Sequence, residues 1–224
     1  MSSAAPPPEA REDHDANLAH HFDSMTQQRA SVELRMWLFL VQEVMFFGGL
    51  FLAYTFYRGR YHEAFVEASH HLDVALGTLN TVVLITSSLT MALGVRAAQA
   101  GKPSKVRAWI LVTMALGGVF LTVKGIEYHH KWVDHLVPGF DFAYRGDHPR
   151  GAQIYFLLYF AMTGLHALHM VIGAGVMVAV LRWNSRGGVS AAYPSRVEAI
   201  GLYWHFVDIV WIFLFPLLYL ISRH

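Results

Sequence analysis

The chain is 224 residues long, with 54% hydrophobic residues and 15% charged ones, whereas a soluble domain carries about 25% charged residues. Its net charge of +1 gives no electrostatic case for a nucleic-acid partner. With no cysteine, disulfides, iron–sulfur clusters, a cysteine-ligated copper pair and covalently attached c-type haem are excluded from this chain, and any redox centre would draw on His, carboxylate or Met ligands.

Residues Met1 to Arg35 open on a Pro/Ala/Glu-rich stretch with several acidic residues and no apolar core, so they do not read as a signal peptide. Residues 1–30 read as a polar, disordered N-terminal tail that turns helical from about Ser24. Five apolar segments follow within a 31–224 domain. Met36 to Tyr57 holds one charge, Glu43; Val74 to Val95 holds none; Ala108 to Tyr128 holds Lys124 and Glu127; Ile154 to Leu181 holds none; Ala199 to Ile221 holds Asp208. The spans are placed at about 34–58, 74–98, 106–129, 153–182 and 197–221. At about 1.5 Å per residue each reaches across a hydrocarbon core of about 30 Å. Lipid offers a backbone no hydrogen-bond partner, and these segments lack the two-residue alternation of barrel strands, so they are helices. The expected fold class is all-α, an integral membrane bundle of five transmembrane helices.

The connections set the orientation. The side bearing the tail collects Arg11, Arg29, Arg35, Arg96, Lys102, Lys105, Arg107, Arg182, Arg186 and Arg196; the other has Arg58, Arg60, Lys131, Arg145, Arg150 and Arg223. Ten against six favours a cytoplasmic N-terminus, because cytoplasmic loops carry the excess of Lys and Arg. The loop around 95–107 is then the clearest cytoplasmic turn, and the long connection from His129 to Gln153, with Pro138, Gly139 and Gly146, lies outside as irregular surface. Trp37, Trp132 and Trp183 near span ends fit interfacial anchoring.

An ionised carboxylate at the depth of Glu43 costs at least about 2.5–3.5 kcal/mol on insertion scales, so it is protonated, partnered or facing water. It reads either as a proton-active, carbodiimide-reactive carboxyl or as a neutral acid bonded to a neighbouring helix. Lys124 and Glu127, three apart, share a helix face and pair within it. His166 and His169 on the fourth span, and His205 and Asp208 on the fifth, have the same spacing, and each pair points along one face toward the bundle. Two such histidines with a nearby carboxylate suit one metal ion, but not the two axial positions of one haem, which lie on opposite faces. Interhelical hydrogen bonding or lipid-headgroup contact is the other reading, helped by the small residues Gly164, Gly173, Ala174 and Gly175. Glu127 and His130 make a Glu-x-x-His unit of the di-iron bundle kind, but its only counterpart, Glu67 to His70, lies in the polar first loop, leaving a di-metal site poorly supplied.

Five stretches together resemble subunit III of the haem-copper oxidases, the cytochrome c oxidase subunit 3 family: Glu43 to Phe51 (EVMFFGGLF), Asn80 to Ser88 (NTVVLITSS), Glu127-Tyr128, His166/His169, and Trp204 to Trp211 (WHFVDIVW). The likeness runs from about Met36 to Leu220 and touches all five spans. It implies a non-redox accessory subunit of a respiratory cytochrome c oxidase in the bacterial cell membrane. Such a subunit packs on catalytic subunit I beside the other oxidase subunits, binds phospholipid, and supports proton uptake, while haem and copper sit in the partner subunits. By motif matching, Glu43 is the family's carbodiimide-reactive carboxyl. Asn80, Lys124, Glu127, His166, His169, Trp204, His205, Asp208 and Trp211 fall in the polar, helix-packing or lipid-contacting interior, with no catalytic or metal residue expected. The chain resembles the short, five-helix bacterial form, with a polar tail where the longer form has two further helices. Lys124 departs from the uncharged polar side chain that the family pattern suggests. The alternatives are the equivalent subunit of a quinol oxidase or nitric-oxide reductase, against which Glu at position 43 weighs, and a self-sufficient di-metal or haem membrane enzyme.

Overall fold

The computed structural model describes residues 25–139, 141–185 and 194–221. Most of the expected N-terminal tail, residues 1–24, lies outside the described residues, while its last six residues already belong to the first helix. The described residues form six helices and no strand: α1 (Met25–Arg60), α2 (His62–Ser69), α3 (Val74–Gln99), α4 (Pro103–Val133), α5 (Pro149–Ser185) and α6 (Pro194–Tyr219). Five of these are long and apolar enough to cross a membrane, at Leu34–Arg60, Val74–Gln99, Pro103–Val133, Pro149–Arg182 and Arg196–Tyr219. The bundle of five crossing helices is the architecture the hydropathy called for.

The first connection was expected to be loop, but part of it is the short helix α2. Its buried face, Ala64, Phe65, Ala68 and Ser69, packs against α5 and the end of α1. Asp73 then caps α3, its carboxylate accepting from the amides of Ala75 (2.8 Å) and Leu76 (3.2 Å), two donors a helix start leaves without backbone partners.

The turn between α3 and α4 takes only residues 100–102. Gly101 adopts φ 63°, which lets its amide reach Ala98 O and the Lys102 amide reach Ala97 O, closing α3 with a left-handed cap. Pro103 starts α4 at once, at a position where its missing N–H costs nothing. His135 makes the same cap at the end of α4 with φ 53°, the amides of His135 and Leu136 bonding to Trp132 O and Lys131 O.

α3 and α4 form the most extensive helix pair; α6 lies against α3, α5 and α1, and α5 also packs on α4. The core is aromatic, with Trp204, Trp211, Tyr54, Tyr155, Tyr159 and Tyr219 fully buried. α1 sits at the edge, its outward face of Met45, Leu52 and Phe56 exposed, and Trp37 and Trp132 also project outward.

Close approach depends on two glycines in particular. A Cβ at Gly77 would lie 2.8 Å from the Phe215 ring, and one at Gly173 would lie 2.9 Å from Tyr203 and 3.0 Å from Trp204. Gly175, by contrast, faces open space. Gly173→Leu is therefore expected to pry α5 from α6 and lower stability by about 1–3 kcal/mol, seen as a lower melting temperature in detergent. Gly48→Leu, where nothing lies within 4 Å of the added Cβ, is expected to leave it unchanged.

Candidate functional site

Two interior polar centres hold the bundle together. The first joins α1 to α5. Glu43, 9% exposed, reaches His169, with Oε2 3.1 Å from Nε2. His169 Nδ1 stands 2.9 Å from the carbonyl of Leu165. A carbonyl only accepts, so Nδ1 carries a hydrogen and Nε2 meets Glu43. One proton then lies between Nε2 and the carboxyl, and the pair has no net charge whichever atom holds it. That neutrality answers the cost of a carboxylate at this depth. Tyr203 of α6 donates to the His169 carbonyl at 2.9 Å, and the Phe47 ring packs 5.4 Å from the imidazole.

The second centre joins α4, α5 and α6. Lys124 and Glu127, one turn apart, pair at 2.9 Å while nearly sealed from solvent. The ammonium has three donors and three acceptors within reach: Glu127 Oε2 at 2.9 Å, Tyr159 Oη at 2.9 Å and Tyr219 Oη at 2.8 Å. Both phenols in turn donate to the Glu127 carboxylate, Tyr159 at 2.9 Å and Tyr219 at 2.7 Å. The rings of Tyr128, Tyr159, Trp211 and Tyr219 surround Nζ at 4.9–5.5 Å, within cation–π range. Every donor of the lysine is used, which makes a charge tolerable in this interior.

Between these centres lies His166, 1% exposed, with the rings of Phe120 and Trp211 at 5.4 Å and 5.3 Å and neither nitrogen hydrogen-bonded. Asn80 is equally buried and equally without partners. Trp204 and Trp211 tie α6 to α3 through their indole N–H groups, which donate to Ser87 Oγ at 3.0 Å and Thr81 Oγ1 at 3.1 Å. His205 and Asp208 stand apart from both centres, in a cleft between α3 and α6, where His205 Nδ1 and Ser88 Oγ are 2.6 Å apart.

The structure thus brings Glu43 together with His169, and Lys124 together with Glu127, but does not join His166 to His169 in one site. His130 is exposed while Glu127 is caged by the lysine and two phenols, so the Glu-x-x-His unit does not converge. Among the described residues no group of three or more His, Cys, Asp or Glu side chains is placed to hold a metal ion. Sequence reading missed Tyr159, Tyr203 and Tyr219, whose hydroxyls complete these centres, and the Ser87 and Ser88 hydroxyls that meet Trp204 and His205. The available signal was spacing, since Tyr159 and Thr163 precede His166 by seven and three residues on α5 and share its face.

A family model described as cytochrome c oxidase subunit III matches residues 14–223. The chain belongs to this family. It is similar to cytochrome c oxidase subunit 3 of Corynebacterium diphtheriae, 38% identical over 83% of this chain and 85% of the relative. It is also similar to cytochrome c oxidase subunit 3 of Thermostichus vulcanus, 34% identical over 85% of this chain and 87% of the relative. A haem-copper oxidase subunit I+III of Aeropyrum pernix is 32% identical over 83% of this chain and 22% of its own length. The chain is a multi-pass membrane protein and a subunit III of a haem-copper oxidase, an oxidoreductase complex.

The Lys124 centre generates an ordered set of stabilities. Glu127→Leu strips the buried ammonium of its counter-charge and is expected to cost about 3–5 kcal/mol. Lys124→Met leaves Glu127 its two phenol donors and costs less. The double variant, with no buried charge, is expected to melt above Glu127→Leu. Thermal unfolding of the three in detergent checks this order, and additive losses in the double variant would contradict it.

Proposed function

We propose that this chain serves a respiratory cytochrome c oxidase as its non-redox subunit, seated against catalytic subunit I in the bacterial inner membrane with its N-terminus in the cytoplasm. In this reading it stabilises the catalytic subunit, binds phospholipid and supports proton uptake, while haem and copper stay in the partner chains. The observation that carries it is the use made of the interior ionisable groups. Glu43 is engaged by His169, and Lys124 and Glu127 by two tyrosines from other helices. Side chains spent in this way lock helices and are not free to ligate a redox metal. The Glu43–His169 pair adds a carboxyl that shares its proton with an imidazole on a neighbouring helix, a unit able to take up or pass one proton.

The fused I+III relative supports placement beside a subunit I, since its printed name joins both subunits in one chain. The test is to tag the N-terminus, extract the complex in mild detergent, and record its haem spectrum and peptide composition. Stoichiometric haem a-type absorption with a large multi-helix partner is expected; metal bound to the chain recovered alone would overturn the reading. For Glu43→Gln the expectation is normal assembly, lost carbodiimide labelling and a modest fall in oxygen reduction. Complete loss of turnover in an intact complex would assign Glu43 to catalysis itself.

A further inference from the structure

One polar cluster belongs to neither interior centre and faces the membrane. α3 and α6 leave between them a cleft of about 350 Å³, lined by Ile85, Ser88, Leu89, His205, Asp208 and Ile212 among others. Its rim is apolar and exposed at Ile85, Leu89 and Ile212. Its floor is not. The Ser88 hydroxyl lies 2.6 Å from His205 Nδ1. Asp208, one turn along α6, is 3% exposed, and neither carboxyl oxygen meets a hydrogen-bond partner. Ser88 is also the hydroxyl that faces Asp208, yet it stands within hydrogen-bonding distance of His205 instead. His205 is only half-buried. Ser88 takes its Nδ1, and Nε2 has no partner among the described residues, although it is not sealed as the His166 nitrogens are.

Depth narrows what covers this cluster. Ser88 is fourteen residues from the start of α3 and eleven from its end, and His205 is eleven residues from the start of α6 and fourteen from its end. At about 1.5 Å per residue both stand near the middle of a hydrocarbon core of about 30 Å. Headgroups lie at the interfaces and do not reach this level, and an acyl chain has no hydrogen-bonding group. The outward face of α1, with Met45, Leu52 and Phe56, is apolar and needs only lipid. The α3/α6 cleft, with an open imidazole nitrogen in hydrocarbon, needs a polar group delivered at mid-membrane depth.

We propose that a transmembrane helix of a partner subunit docks in the α3/α6 cleft. It lays an apolar face on Ile85, Leu89 and Ile212 and presents a hydroxyl or carboxamide side chain to His205 Nε2. A neutral group of this kind is specified because the Ser88 hydroxyl can donate or accept, which leaves Nε2 free to take either role, and hydroxyls and carboxamides match both. Asp208 lines the floor with both carboxyl oxygens sealed, so it offers no oxygen to an incoming cation. The proposal rests on the chain's place in a multisubunit membrane complex.

The test uses the assembled complex in its native membrane, with a benzophenone-bearing amino acid placed in turn at Leu89, Ile212 and, as a control on α1, Leu52. Irradiation at Leu89 and Ile212 is expected to join this chain to one partner subunit, at a transmembrane segment carrying a Ser, Thr, Tyr, Asn or Gln within one turn; Leu52 is expected not to yield that peptide. His205→Phe should lower the cross-link yield by roughly threefold to tenfold, the factor one interhelical hydrogen bond supplies, while His205→Gln should retain it. Lipid adducts alone at the two rim positions, or a cross-link to a second copy of this chain, would overturn the proposal. The haem spectrum of the same sample separates the two readings. An intact haem-bearing complex without the cleft cross-link sinks the docking site alone. A cleft cross-link to a helix of a complex without haem supports the docking site and removes the oxidase reading.

Discussion

An ammonium group inside a membrane-embedded bundle has to find three acceptors, and the positions of α4, α5 and α6 follow from how Lys124 does so. Its own helix supplies Glu127, α5 supplies Tyr159, and α6 supplies Tyr219, all within 2.9 Å of Nζ. Shifting any of the three helices by one turn, about 5.4 Å, would remove at least one acceptor. Apolar packing alone tolerates such a slip, because lipid tails are as apolar as leucine and give no hydrophobic push between helices. The polar cage therefore specifies register, while the rings of Tyr128 and Trp211 close its remaining sides. Gly117 and Gly173, on either side of the Trp204 ring, bring the backbones near enough for such short side-chain bonds.

α1 is held differently. Its packing against its neighbours is less extensive than that of the other crossing helices, and most of its apolar side chains face outward. Its fixed points are the Glu43–His169 bond at one level and the Tyr54 hydroxyl, donating to Leu217 O at 2.6 Å, at another. Eleven residues, about 16 Å, separate these two contacts along the helix, enough to fix both its tilt and its rotation. The same carboxyl thus gives α1 its seat and makes the hydrogen bond to His169. Glu43→Gln keeps the contact and removes the ionisable carboxyl, whereas a change to an apolar residue would remove both.

Hydropathy made the five spans legible because each departs so far from soluble composition that only helix ends were left to settle. Most of those ends lie further out in the structure, although α6 stops short at Tyr219 and α3 starts at Val74 as expected: capping by Pro103 and Gly101 lets α3 and α4 run nearly into each other, leaving a connection of three residues. The helix α2 was hidden because eight residues with two glutamates give no apolar run; its face gains its burial from α5 and the end of α1, with the Phe65 ring set against Tyr155 and Tyr54. Lys124 and Glu127 were readable as a pair from their spacing. Their tyrosine partners were not, since tyrosine near a span end equally signals an interfacial anchor, and only the crossing of α4, α5 and α6 turns Tyr159 and Tyr219 inward. Glu43 and His169 were each singled out, but their union depends on α1 meeting α5, which no local pattern encodes.

Lys124, Glu127, Glu43 and His169 find partners inside the chain, whereas His166, Asn80 and the Asp208 carboxyl, each of which can stand as a neutral group, do not. This ordering is what desolvation demands, because an unpaired charge costs far more than an unpaired neutral dipole in a low-dielectric interior. His166, between the Phe120 and Trp211 rings, keeps its packing and gives up its hydrogen bonds. The bundle thus places its bonds where charge requires them, and it leaves a neutral imidazole at the centre, between a proton-sharing pair on one side and a fixed ion cage on the other.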